Sequence, residues 1–215
     1  MNKVILDLCG GTGSWSKPYK DAGYDVRVIT LPNYDVSSVL FEEEVMIFQV
    51  GNELEYILFK DVYGILAAPP CTMFSMARTN AKTPRDLEGA METVQACLRI
   101  IWECQYSGKR LAFWAMENPK ARLRWFMGLP AMTFSPQDFG DSYRKPTDLW
   151  GNFNTDLKRT PVPLNPKQKK QSVLNLQDLL PIPKDYVRDP KMSARAIARS
   201  ITHPGFAQAF YEANK

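Results

Sequence analysis

The chain has 215 residues, 45% hydrophobic and 23% charged, which places it among folded globular proteins rather than disordered ones. No apolar run reaches the roughly 18 residues that span a bilayer, and the opening MNKVILDLCGGTG meets Asp7 and glycines before a leader's apolar region forms, so neither a membrane segment nor a signal peptide is expected. Four cysteines without zinc-site spacing and a single histidine, His203, argue against a His-based metal site, a Ser-His-Asp triad and a disulfide scaffold. No metal is expected, and the thiols should stay reduced in a cytoplasm. The net charge of +4 is unevenly spread. Residues 1–107 carry 9 Lys+Arg against 14 Asp+Glu, a balance of −5, whereas residues 108–215 carry 18 against 9, a balance of +9. The second half therefore suits a polyanionic partner, or is simply a basic solvated surface.

In chain order, Lys3–Leu8 is a short apolar run that enters Gly10-Gly11-Thr12-Gly13, and residues Ser14–Ala22 read as a short helix. Strand, glycine turn and helix open a dinucleotide-type fold. Asp25–Leu31 reads as a second strand. Val45–Val50 and Glu55–Phe59 flank Gly51-Asn52 and predict a hairpin. Val62–Ala68 is a buried strand that stops at Pro69-Pro70. From Asp86 to Ser107 apolar residues recur near a 3.6 period, which predicts a helix with Thr83 as N-cap, Pro84 at its first position and Gly108 beyond its end. Leu111–Met116 is a further strand, running into Glu117-Asn118-Pro119. Alternating strands and helices predict an α/β, Rossmann-like fold: a mostly parallel sheet with helices on both faces and ligands at the carboxyl ends of its strands. Three segments follow: a cofactor-binding and catalytic domain over 1–152, a small basic proline-rich lobe over 153–192, and closing helices over 193–215 that pack back on the domain. Residues 161–190 hold 6 of the 16 prolines, and Lys158–Lys170 has five basic residues and no acid.

Three strand tips carry chemistry. Asp7-Leu8-Cys9-Gly10-Gly11-Thr12-Gly13 lets the backbone turn tightly and approach a ligand without a Cβ in the way; the alternative is a turn with no ligand. Pro69-Pro70-Cys71 holds a candidate nucleophile rigidly at a strand end, with no histidine nearby to serve a hydrolase; the alternative is a small buried thiol. Glu117-Asn118-Pro119 puts a carboxyl at the end of an apolar strand, where burial would raise its pKa and fit it to donate a proton; the alternatives are a helix cap or a surface acid.

In this order the three tips resemble the DNA cytosine-5 methyltransferases, whose D-L-x-x-G-x-G, P-C and E-N-V/P motifs match Asp7–Gly13, Pro70-Cys71 and Glu117-Asn118. The resemblance covers about residues 1–155, and is nearest to compact, phage-carried enzymes. These similarly show P-P-C-T-x-F, a K-x-T-x-L-W-G-N segment (Lys145–Asn152), then R-S-I-T and G-F-A (Arg199–Thr202, Gly205–Ala207). It implies an S-adenosylmethionine-dependent methyltransferase fold and the cofactor S-adenosylmethionine. Cofactor contacts would come from Asp7, Cys9, Gly11, Gly13, Trp15, Asp35, Pro70 and Asn214. Cys71 would be the nucleophile, Glu117 the group at the base's N3, and Arg144 the group that holds the base. The partner implied is DNA with a flipped cytosine, contacted by Ser75, Arg78, Lys145, Lys158, Arg159, Lys167, Lys169 and Lys170. A monomer in the cytoplasm, that of a bacterial host if phage-encoded, goes with it. This chain departs from the family pattern in having Cys9 where an aromatic is usual, no intact Q-x-R-x-R motif after Gln137, and Asn214 in place of a terminal G-N-x-V. Two rival readings stay open. One is an inactive DNA-binding protein that kept the fold. The other is an enzyme that modifies cytosine C5 differently or in a free nucleotide.

Overall fold

The computed structural model describes residues 3–76, 78, 81–106, 111–163, 182–184, 186–190 and 192–215. Lys167, Lys169 and Lys170 lie outside the described residues. The chain begins with β1 (Val4–Leu8), α1 (Lys17–Asp21) and β2 (Asp25–Ile29). Next come β3 (Leu40–Glu42), β4 (Val45–Val50) and β5 (Glu53–Leu58), then β6 (Val62–Ala67) and the long α2 (Leu87–Tyr106). β7 (Phe113–Pro119), α3 (Arg124–Met127), β8 (Met132–Phe134) and β9 (Thr147–Asn152) follow, and α4 (Ala194–Ser200) and α5 (Pro204–Asn214) close the chain.

Six strands form one sheet in the order β2-β1-β6-β7-β9-β8. β2, β1, β6 and β7 run parallel, and β9 runs antiparallel to both β7 and β8. This is an α/β, Rossmann-like fold with a mostly parallel sheet. The chain leaves β1 toward β2 on one side and returns to β6 on the other, so the strand order reverses between β1 and β6. A crevice outside the carboxyl ends of the strands at such a reversal is the ligand position of open α/β sheets. The predicted hairpin does not join this sheet. With β3 it makes a separate antiparallel sheet, β3-β4-β5.

The alternation of side chains along the strands sorts the core into two layers. Leu6, Leu8, Ile65, Ala67 and Met116 face the layer that α2 covers with Val94, Cys97 and Ile101. Ile5, Leu66, Phe113 and Ala115 face the other, which holds Trp15 from the turn after β1, Tyr19 from α1, and Phe206 and Phe210 from α5. Gly64 is required in β6, because a Cβ there would lie 2.3 Å from the Phe113 ring. α2 starts three residues later than Thr83 as N-cap implies. The Asp86 carboxylate accepts from the Gly89 N–H at 2.8 Å, and so supplies the cap. Part of the expected lobe is strapped to the domain: Leu157 is buried, and the Thr160 and Val162 N–H groups donate to the Asp138 and Gln137 carbonyls. Among the described residues no helix is long and apolar enough to cross a membrane.

Candidate active site

At the end of β1 the backbone turns through three residues with positive φ: Cys9 (55°), Gly11 (56°) and Gly13 (67°). Asp7 lies beneath the turn, fully buried. Its Oδ2 accepts from the Ser16 hydroxyl at 2.5 Å, and its carboxyl fills the place where a Gly10 side chain would be. Burial pushes the Asp7 carboxyl up to about 6, opposed by the Ser16 hydrogen bond. Asp7 thus supports the turn from below. The Gly11 N–H donates to Thr30 Oγ1 at 3.3 Å, tying the turn to the end of β2. A Cβ on Gly11 would meet only Ser200 Oγ, at 3.8 Å, whereas one on Gly13 would crowd Val28 at 3.2 Å. The open side of the turn, and the buried Thr12 hydroxyl left without a hydrogen-bond partner, fit the close approach of a polar ligand.

β6 and β7 are neighbours, so their tips meet. Buried Asn118 donates from Nδ2 to the Pro69 carbonyl at 3.0 Å, which locks the E-N-P tip to the P-P-C tip. After Cys71 the chain folds back, with the Phe74 and Ser75 N–H groups donating to the Cys71 carbonyl at 3.1 and 2.8 Å. The Arg85 guanidinium braces this loop from outside through the carbonyls of Met73, Ser75 and Arg78. Nothing in the sequence flagged Arg85, since its partners are backbone atoms 7, 10 and 12 residues away.

Cys71, Glu117, Lys145 and Arg199 share one electrostatic environment. Burial pushes the Cys71 thiol up, Lys145 and Arg199 pull it down, and Glu117 pushes it up. Burial likewise raises the Glu117 carboxyl, with Lys145 lowering it and Asp148 raising it. Lys145 Nζ is 3.9 Å from Glu117 Oε1 and donates to the Arg199 carbonyl at 3.0 Å. β9 explains this position. It pairs antiparallel with β7, Asn118 opposite Asp148 and Pro119 opposite Thr147, so the residues just before β9 arrive at the tip of β7. The C-terminal segment closes the other side, where the Thr202 N–H donates to Ser14 Oγ at 2.8 Å. Arg199–Thr202 therefore lies between the glycine turn and the Cys71–Glu117 pair.

Several expected contacts fall elsewhere. Asn214 is at the opposite, amino end of the sheet, where its side chain holds Asn154 and the Phe210 carbonyl. A C-terminal helix that returns along the sheet ends there, which separates Asn214 from the glycine turn. Trp15 is 2% exposed and packs against Phe206 and Phe210 in the core. Cys9 packs toward α2, its sulfur 4.0 Å from that of Cys97. Asp35 is exposed and caps the turn at 36–38 by accepting from the Ser37 N–H. Arg144 is exposed and hydrogen-bonded to Gln137, whereas Arg199 is the arginine whose charge acts on Cys71. Lys145 belongs to the Cys71–Glu117 cluster. Pro70 is exposed at the loop's entry, next to partly buried Cys71. Arg78 is engaged with Thr83 and the Pro84 carbonyl, Lys158 is exposed, and Arg159 lies 3.9 Å from Asp138.

The solved structures similar to this chain include two of Dnmt2. A mutant of DNMT2 from Spodoptera frugiperda superposes with a TM-score of 0.42 and 16% identity, over 77% of this chain and 54% of that one. The Dnmt2 methyltransferase of S. pombe gives a TM-score of 0.38 and 11% identity, over 87% and 57%. The chain spans little more than half the length of either. No family model matches it, and no curated protein matches it in sequence.

Proposed function

We propose that this chain is an S-adenosylmethionine-dependent methyltransferase that acts on C5 of cytosine in DNA through a covalent Cys71 adduct. The observation that carries the reading is the meeting of a thiol and a half-buried carboxyl on adjacent strand tips, flanked by two cations, beside an open glycine turn at the sheet's reversal point. The D-L-x-x-G-x-G, P-P-C and E-N-P motifs supply these three tips in the order the cytosine-5 family uses them.

Cytosine C5 is a poor nucleophile, and the residues present answer that difficulty. Cys71 Sγ, as thiolate, adds to C6. The displaced electron pair is accommodated by protonation at N3, for which Glu117 supplies the proton. Burial favours the neutral carboxyl that such a donor needs. Lys145 and Arg199 offset the burial of the thiol by favouring its charged form. The Gly11–Gly13 turn, Thr12 and Thr30 would hold S-adenosylmethionine, which supplies an electrophilic methyl group. Loss of the C5 proton to water and departure of Cys71 as thiolate restore the aromatic ring, and Glu117 recovers its proton from N3. The base must leave the duplex to reach this cleft. Mass spectrometry of nucleosides, after cytosine-containing DNA is incubated with protein and S-adenosylmethionine, tests the reading. It predicts 5-methylcytosine from the wild type and none from Cys71→Ala; an unchanged cytosine pool with the wild type contradicts it.

A further inference from the structure

Beside the Cys71 loop the chain presents an apolar ledge that the chemistry above does not use. After β7 it turns through Lys120–Leu123 into the single turn of α3. Trp125 is 69% exposed, Phe126 48% and Met76, from the Cys71 loop, 60%. Arg122 connects them, with its guanidinium 3.1 Å from Met76 Sδ and 5.4 Å from the Trp125 ring centroid.

The ledge is held firmly from behind. Leu123 is fully buried, and Arg124 makes a two-pronged pair with fully buried Asp148 at 2.6 Å on both arms. The Trp150 indole N–H donates to the Gly128 carbonyl at 3.1 Å, and the Arg122 N–H to the Phe74 carbonyl at 3.4 Å. Phe126 meets Phe74 edge-on at 6.3 Å. A segment anchored this well presents its tryptophan outward in a fixed pose, which lowers the entropy lost when a flat ligand stacks on it.

The surroundings select the ligand's charge. Residues 71–86 and 119–128 contain Arg78, Lys82, Arg85, Lys120 and Arg122, besides Arg124, which Asp148 already neutralises, against one acid, Asp86, although the first half of the chain is acidic overall. Asp86 is occupied at the start of α2. Arg85 lies close enough to Arg122 and Arg78 to feel their like charges. Cations interleaved with exposed aromatics suit a strand whose bases are free to stack and whose phosphates need counter-charges. A protein partner would leave this cationic excess uncompensated unless it were acidic, and a duplex keeps its base faces buried within its own stack.

We propose that Trp125, with Arg122, forms a stacking platform for an unpaired base of single-stranded DNA next to the reacting cytosine. The inference rests on the proposed function only for the identity of that cytosine. Its test is the binding of a fluorescent single-stranded oligodeoxynucleotide, and of a duplex of equal length, at fixed salt. Trp125→Ala should weaken single-strand binding about tenfold or more, leave duplex binding and the melting temperature unchanged, and be largely rescued by Trp125→Phe. Wild-type single-strand affinity in Trp125→Ala, or equal losses on both DNAs, overturns the platform. A wild type that forms no 5-methylcytosine, yet binds single strands through Trp125, keeps the platform and refutes the methyltransferase reading. A wild type that methylates DNA, with Trp125→Ala binding single strands normally, does the reverse.

Discussion

Among the described residues, Lys145 is the one cation that acts on both members of the Cys71–Glu117 pair. Lys145 lowers both the Cys71 and Glu117 pKa values against the burial that raises them. Lys145→Met should therefore move both upward, and the thiolate fraction at neutral pH should fall. Alkylation of Cys71, followed by peptide mass spectrometry across a pH series, should be several-fold slower at pH 8 and inflect at higher pH than in the wild type. An unmoved inflection would separate the lysine from the thiol. At the glycine turn, Gly11 is the position where a side chain tests the ligand rather than the fold. Its φ of 56° is one that Asp tolerates at a cost of about 1–2 kcal/mol, and its Cβ would meet only Ser200 Oγ, at 3.8 Å. Gly11→Asp should lower S-adenosylhomocysteine affinity, read by calorimetry, about tenfold or more, some 1.4 kcal/mol per decade, while the circular dichroism spectrum stays native. Unchanged affinity would place the cofactor elsewhere.

At the scale of elements, the strands that position the chemistry were legible because each is a short apolar run ended by glycine or proline. β1, β2, β6 and α2 lie within a few residues of their predicted bounds. The thiol and the carboxyl could be read for the same reason, since Cys71 follows β6 after Ala68 and two prolines and Glu117 lies near the end of β7. β8 and β9 were not. Met132–Phe134 is too short to show a period, and Thr147–Asn152 carries Asp148 and Gly151, which weaken a strand pattern. Asp148 is there to pair with Arg124, and Gly151 because a Cβ would fall 2.1 Å from the Trp114 carbonyl. Missing β9 meant missing that Lys145 arrives beside Glu117. The depth of α5 was also hidden. Phe206 is fully buried, stacks on Phe134 at 3.9 Å and touches Trp15, Phe139 and Phe210. Phe206→Ala should cost about 3–5 kcal/mol, a fall in melting temperature of roughly 10 °C for a chain of this size. A drop of only a degree or two would make α5 an appendage rather than part of the core.

Over the whole molecule, the two halves divide the work. The acidic first half builds three of the four parallel strands, the glycine turn and the Cys71 loop. The basic second half supplies Glu117, Lys145 and Arg199 to the site, and Lys158 and Arg159 to the surface. Long-range contacts join the two halves, among them β7 against β6, Asn118 against Pro69, Trp15 against Phe206, and Thr202 against Ser14. No local pattern in the sequence encodes that closure, which is why Arg199 beside Cys71 emerges from the fold and not from spacing. The central claim is that Cys71 becomes bonded to cytosine C6 during methyl transfer to C5, and a mechanistic trap tests it most directly. In DNA with 5-fluorocytosine at the target, the fluorine cannot leave as a proton does, so the protein should stall as a protein–DNA adduct that survives denaturing electrophoresis. The adduct should require S-adenosylmethionine, form much more slowly with Glu117→Gln, and be absent with Cys71→Ala. Adduct formation by Cys71→Ala at the wild-type rate, or methylation by the wild type with no adduct on the fluorinated DNA, would contradict the account.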